Sequence, residues 1–227
     1  MTTEPAIQLY GRSGSHFTRV AMMFAWELGV AVEGVVVRDL ATLDPGCYGE
    51  NPALKIPTLA VGGARLFGTE NICRRLVELA GRRGDPRVIL GEDLRGDLHR
   101  NAQEMVWHAM AAQVQLVVGV RFSKLPTDNV LFAKGRRGLL GALGWLDAHV
   151  DDVLATLPAD RALSLLEVTL FCLVEHVAFR PMVPAGDLAR LRGFAAAYGA
   201  RESATANPGV LATIPNDAEI PRTERDG

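Results

Sequence analysis

Cysteine is scarce in this chain, and what there is does not pair. Cys47, Cys73 and Cys172 are the three among 227 residues. They are odd in number and far apart, which excludes a disulfide framework and a CxxC redox pair and points to a reducing cytoplasm. A surplus of one charge is also missing: 24 Lys and Arg stand against 26 Asp and Glu, a formal net charge of −2. No basic run exceeds two residues, as at Arg82-Arg83 and Arg136-Arg137, so nothing draws the chain to nucleic acid or an anionic membrane. No run of about 18 apolar residues occurs, so no membrane-crossing helix is expected. Met1–Pro5 is polar and lacks the basic-then-apolar pattern of a secretion signal. The five histidines, His16, His99, His108, His149 and His176, show no metal-ligand spacing, so no metal is expected. Gly11-Arg12-Ser13-Gly14 lacks the lysine of a phosphate-binding loop.

What is present is enough apolar material for a real core, 48% of the chain, laid out in two styles. Ile7, Leu9 and Tyr10 start a short strand that stops at the turn-rich Gly11–Gly14. From Phe17 to Leu28 the period becomes helical, with Phe17, Val20, Ala21, Phe24, Ala25 and Leu28 on one face. Ser15 stands where an N-cap belongs and Gly29 where a C-terminal glycine belongs. Val32–Val37 reads as a strand and Ala41–Asn51 as a loop. Thr58–Val61 and Arg65–Phe67 flank Gly62-Gly63, a two-residue hairpin signal. Thr69–Leu79 is helical, with Ile72, Cys73, Leu76 and Leu79 on one side. The order β-α-β, loop, β-β-α demands a parallel pair with an antiparallel edge.

Residues 83–93 hold glycine, proline and charge with little periodicity and read as a linker between a first domain, 1–82, and a second, 94–227. The second reads as all helix: Leu94–Val120, Val130–Leu157, a helix opened by the capping box Ser164-x-x-Glu167 and running through Val177, and Asp187–Tyr198. Gly209–Gly227 is polar with two prolines and reads as a tail.

Several stretches resemble the cytosolic glutathione transferase family, in its serine type. Leu9-Tyr10-Gly11 with Ser15-His16-Phe17-Thr18-Arg19 is similar to the family's first strand and active-site loop. Asn51-Pro52 with Lys55-Ile56-Pro57-Thr58-Leu59 is similar to its "NP…K-V-P-x-L" segment. Leu66–Leu76 is similar to "ES.AI..YL", and Arg201–Pro208 to "RPS…T.P". The match spans about residues 6 to 208. It implies a thioredoxin-like α/β domain followed by a helical bundle.

The resemblance also implies an activity: attack by the thiol of glutathione on a small hydrophobic electrophile. A glutathione-dependent isomerase or disulfide reductase, and a non-catalytic binding or structural protein, are the alternatives. Ser15 would be the catalytic residue, holding the glutathione thiolate by its hydroxyl at a helix N-terminus, where an anion is favoured. Serine in place of cysteine argues against a mixed-disulfide mechanism. Ile56 would pair strand-fashion with the peptide ahead of a cis Pro57, Lys55 would reach the glycyl carboxylate, and Thr69 would bind the γ-glutamyl carboxylate. Two departures stand out. The family's usual acid before the serine is Gly68, leaving Glu70 to meet the ligand's ammonium, and its frequent proline is His16, expected to be exposed in the first helical turn. Phe17, Trp107, His108 and Ala111, with Met105 and Met110, would line the electrophile pocket. By resemblance the protein would be a cytoplasmic homodimer in detoxification.

Overall fold

The computed structural model describes residues 6–208; the readings of Met1–Pro5 and of Gly209–Gly227 lie outside them. The first half folds as β1 (Gln8–Gly11), α1 (His16–Glu27), β2 (Glu33–Val36), β3 (Thr58–Val61), β4 (Ala64–Phe67) and α2 (Thr69–Leu79). The sheet runs β2-β1-β3-β4, with β1 parallel to β2 and antiparallel to β3. The hairpin between β3 and β4 turns on Gly62 and Gly63, both at positive φ (55° and 81°), as a two-residue turn with the strands' twist requires. The segment 41–51, expected as plain loop, contains a short 3₁₀ turn, Pro45–Tyr48, capped by the Asp44 side chain.

Helix α1 begins with the Ser15 hydroxyl accepting a hydrogen bond from the Thr18 N–H and ends in two reversed bonds, Gly29 N–H to Trp26 C=O and Val30 N–H to Ala25 C=O. Gly29, at φ 66°, permits that ending. Gly11 lets α1 close onto β1, because a Cβ there would overlap Thr18. On α2 the buried residues are Thr69, Ile72, Cys73, Leu76 and Val77, with Leu79 only half-buried.

The second half consists of α3 (Asp97–Leu116), α4 (Val130–Ala155), α5 (Leu165–Phe179), α6 (Ala189–Tyr198) and α7 (Glu202–Ala206). Two readings need correction here. The helix expected over Leu94–Val120 starts at Asp97 and, after Leu116, widens into a π-helical turn, Val117–Phe122; at Gly119 a Cβ would sit 2.6 Å from the Phe132 ring of α4. The capping box at Ser164 is half-formed. Its hydroxyl accepts from the Glu167 N–H (3.5 Å), while the Glu167 carboxylate is taken by Arg161 through two bonds of 2.7 and 2.8 Å. The linker is also more than a linker: Val88–Ile89 (β5) pairs in parallel with Leu163–Ser164 (β6).

Helix α1 is covered on both sides, by the sheet and α2 on one and by α5 on the other, and Val20, Ala21, Met23 and Phe24 are wholly buried. Polar clamps close the seam. Glu27 accepts from Arg201 (2.8 and 2.9 Å) and from the Ser203 hydroxyl (2.6 Å), and Arg201 also donates to Ala162 C=O. Burial pushes the Glu27 carboxyl up, but the bonds from Arg201 and Ser203 outweigh it and hold it below its ordinary range. At the other end of the seam Arg19 donates to Asn207 C=O (2.6 Å) and lies over the Phe171 ring. Neutralising Glu27 leaves Arg201 short of its partner, so Glu27→Gln is expected to lose about 1–3 kcal/mol of unfolding free energy, read by urea denaturation at pH 7; an unchanged midpoint would remove the clamp from the account.

Candidate active site

The strand register assembles the site. Tyr10 on β1, Thr58 on β3 and Phe67 on β4 stand in one row across the sheet. At that row β1 leaves toward Ser15, β3 arrives from Ile56-Pro57, and β4 leaves toward Gly68 and Thr69. Three segments far apart in the chain therefore reach one edge. A hydrogen bond ties two of them directly, from the Thr69 hydroxyl to Phe17 C=O (3.4 Å).

Each segment presents a different group. Ser15 is half-buried, and its oxygen accepts from Thr18 N–H (3.3 Å). That cap uses a lone pair and leaves the hydroxyl hydrogen to donate, so capping and ligand binding are compatible roles. The Ile56–Pro57 peptide is cis, and Ile56 N–H and C=O take no hydrogen-bond partner among the described residues. The loop before it is built by Asn51, which is buried. Its amide donates to Lys55 C=O (2.9 Å) and accepts from Ala53 N–H (3.0 Å), around Leu54 at φ 54°. Lys55 is exposed. Thr69 opens α2, whose first N–H groups have no partner within the helix. Gly68, at φ 84° with open space where a Cβ would be, caps α2 without a side chain.

Glu70 does not join this row. Its carboxylate is held by Arg74 at 2.6 Å and packs against Gly91, while Arg74 also grips Glu92 at 2.9 and 3.0 Å. These contacts turn Glu70 toward the linker.

Across the cleft, Phe17 and Trp107 lie nearly parallel, 4° apart with centroids 6.0 Å distant. Trp107 is half-buried, His108 and Ala111 are exposed on the same stretch of α3, Met105 is half-buried and Met110 is wholly buried core. Among the described residues no group of three or more His, Cys, Asp or Glu converges as metal ligands would, and no helix is long and apolar enough to cross a membrane.

His16 overturns its expectation. It is 2% exposed, because α5 packs over the first turn of α1. Its ring stands edge-on to His176, with centroids 4.1 Å apart at 79°. Burial first, then the neighbouring His176, holds His16 well below the ordinary imidazole range; burial and Arg180 bring His176 down to about 4. Asn51, Arg19 and His176 went unnoticed as site residues. The Asn51-Pro52 pair was the available signal for the first; His176 and Arg19 sit in apolar helical runs that carry none.

An imidazole kept neutral by burial makes a testable demand. Unfolded, His176 gains its proton near pH 6.5; folded, it does so at about 4. Between those values the unfolded chain binds more protons, so stability is full above pH 6.5 and falls as acid is added. Wild type is expected to lose about 2 kcal/mol more than His176→Phe between pH 7 and pH 5, on the linkage slope of ~1.4 kcal/mol per unit. Urea titrations at both pH values decide it, and parallel losses would refute a neutral buried pair.

No family model and no curated protein matches the chain. Solved structures do. A glutathione transferase family member from Pseudomonas fluorescens Pf-5 with bound glutathione aligns at 18% identity over 89% of this chain and 98% of the other, TM-score 0.71. A glutathione S-transferase from Methylobacterium radiotolerans in complex with glutathione sulfonate aligns at 18% over 93% and 99%, TM-score 0.70. Glutathione S-transferase III in apo form aligns at 18% over 93% and 100%, TM-score 0.65. Identity this low speaks to architecture alone, and over nearly the whole of both chains: the chain has the glutathione transferase fold.

Proposed function

We propose that the chain binds glutathione at the Tyr10–Thr58–Phe67 edge of its sheet and activates the thiol for attack on a small electrophile. One observation carries the reading: the register brings a spare hydroxyl hydrogen, an unpaired stretch of extended backbone and an open helix N-terminus to the same edge. Those are the complements of a sulfur, a peptide and a carboxylate. The fold neighbours with glutathione or glutathione sulfonate bound support it.

In this reading Ile56 pairs with the cysteinyl unit through its backbone. Thr69 receives the γ-glutamyl carboxylate at the α2 N-terminus, where unpaired N–H groups and the helix dipole favour an anion. Lys55 approaches the glycyl carboxylate. Ser15 then faces the sulfur. A free thiol has a pKa near 8.5; a donated hydrogen bond and the start of α1 both favour its ionised form. The thiolate is the nucleophile and Ser15 stays intact. Phe17, Trp107, His108 and Ala111 border the space in which an apolar electrophile meets the sulfur. Glu70 contacts the ammonium only if Arg74 releases it.

A second reading, a binding protein without turnover, is favoured by that same corner, where Gly68 offers no side chain and Glu70 is engaged elsewhere. Retention on immobilised glutathione followed by turnover of a general aromatic electrophile separates the two. Ser15→Ala is expected to lower turnover at least tenfold, toward the ~10²–10³ that loss of one oxyanion-hole donor costs, while retention persists; unchanged turnover rejects the role of Ser15. Thr69→Ala is expected to weaken retention at least as much as turnover.

A homodimer belongs to the same reading. Sedimentation is expected to show a species near twice 24.5 kDa; a single species at 24.5 kDa would exclude it.

A further inference from the structure

We infer that His16 and His176, from opposite halves of the molecule, form a water-bridged latch that positions the Ser15 loop. His16 and His176 touch no ligand in the proposed site; they are positioning residues. Their rings meet edge to face under the loop, at 4.1 Å. Both nitrogens of His16 and Nδ1 of His176 are buried without a hydrogen-bond partner among the described residues, as is the Thr18 hydroxyl. The rings face the Met110 and Gly14 backbones respectively. Between the pair and the loop lies a cavity of about 50 Å³. Ser13, Gly14, His16, Arg19, Glu175 and His176 supply its polar wall.

Buried polar atoms in folded proteins almost always have partners. A cavity with room for a few waters, at roughly 10–15 Å³ of probe volume each, beside these orphaned nitrogens gives them a place to find partners. Water there joins the imidazoles of α1 and α5 to the Ser13-Gly14 backbone, immediately before Ser15. The serine is thus fixed from behind by the helical half.

The latch depends on neutral rings. Among the described residues the charged groups that face it are Arg19 on α1, Arg180 at the end of α5 and Glu175, which is half-exposed; the Cys172 thiol, pushed up to about 12 by burial, is uncharged. A proton added to either ring would be a buried charge, and on His176 it would also face the Arg180 guanidinium. Acid therefore opens the loop before it unfolds the chain.

The role assigned to Ser15 in turnover is the reading above, on which the inference rests. The test uses neither thiol nor electrophile, so a failed latch and a failed transferase are separate results. Hydrogen–deuterium exchange of residues 12–17, corrected for intrinsic pH dependence, is measured from pH 7.5 to 4.0. In parallel, Trp107 fluorescence is followed in a Trp26→Phe, Trp145→Phe background, where it is the one remaining tryptophan. Below pH 5.5 protection of the loop is expected to fall at least tenfold while α4 stays protected, with one step in Trp107 fluorescence. His176→Gln, polar but unable to take the proton at this pH, is expected to keep the neutral-pH protection and blunt the step. His176→Phe is expected to lose at least threefold in protection at pH 7.5. Loop protection in wild type that does not change with acid while α4 is intact overturns the latch, and that arm decides even if His176→Phe does not fold.

Discussion

Helix α1 is the constraint on which the rest depends. It is buried on both faces, so two cores share one wall: the sheet and α2 press on one side and α5 on the other. A helix so enclosed cannot shift by a fraction of a turn without opening voids in two places, and interiors packed to crystal-like density resist that. Its two ends inherit the rigidity. At the C-terminal end Glu27 is held by Arg201 and Ser203; at the N-terminal end Ser15 emerges at the sheet edge. The candidate serine therefore stands where a loop meets the start of a rigid element.

Much of the first half could be read directly from residue order. Strand and helix periods differ, Gly29 and Gly62-Gly63 occupy positions where positive φ is required, and Ser15 lies at a helix start with the right hydroxyl chemistry. These are local signals, set within a few residues of one another. What stayed hidden is non-local. His16 is buried by a helix some 150 positions away in the chain, and no periodicity around residue 16 reports that. Glu70 looked available to a ligand because its partner Arg74 reads equally well as a solvated surface charge; Glu92 and Gly91, which complete the arrangement, belong to a segment without pattern. Strands β5 and β6 have two residues each, too few for an alternation to show. At the π turn after Leu116, Gly119 lies against Phe132 of α4, a tertiary contact that the local sequence does not announce.

The Gly68-Thr69-Glu70 corner leaves the start of α2 without an unpaired carboxylate of its own. Without a side chain at 68, the start of α2 carries its positive end with no acidic cap, and the nearest carboxylate is committed to an arginine that also holds Glu92. The electrostatics there favour an anion more plainly than a zwitterion. The Thr69 hydroxyl is bonded to Phe17 C=O, so that side chain fixes where the first N–H groups of α2 stand relative to α1.

The short β5–β6 ladder has a consequence for how such a molecule can be taken apart or recombined. Val88 and Ile89 lie before the helical half in the chain yet are hydrogen-bonded into it, beside the cap of α5. A chimaera joined at residue 82 carries that ladder intact with its own partner strand. One joined at 94 brings in a foreign strand, and with it a mismatched seat for α5, the helix that covers His16.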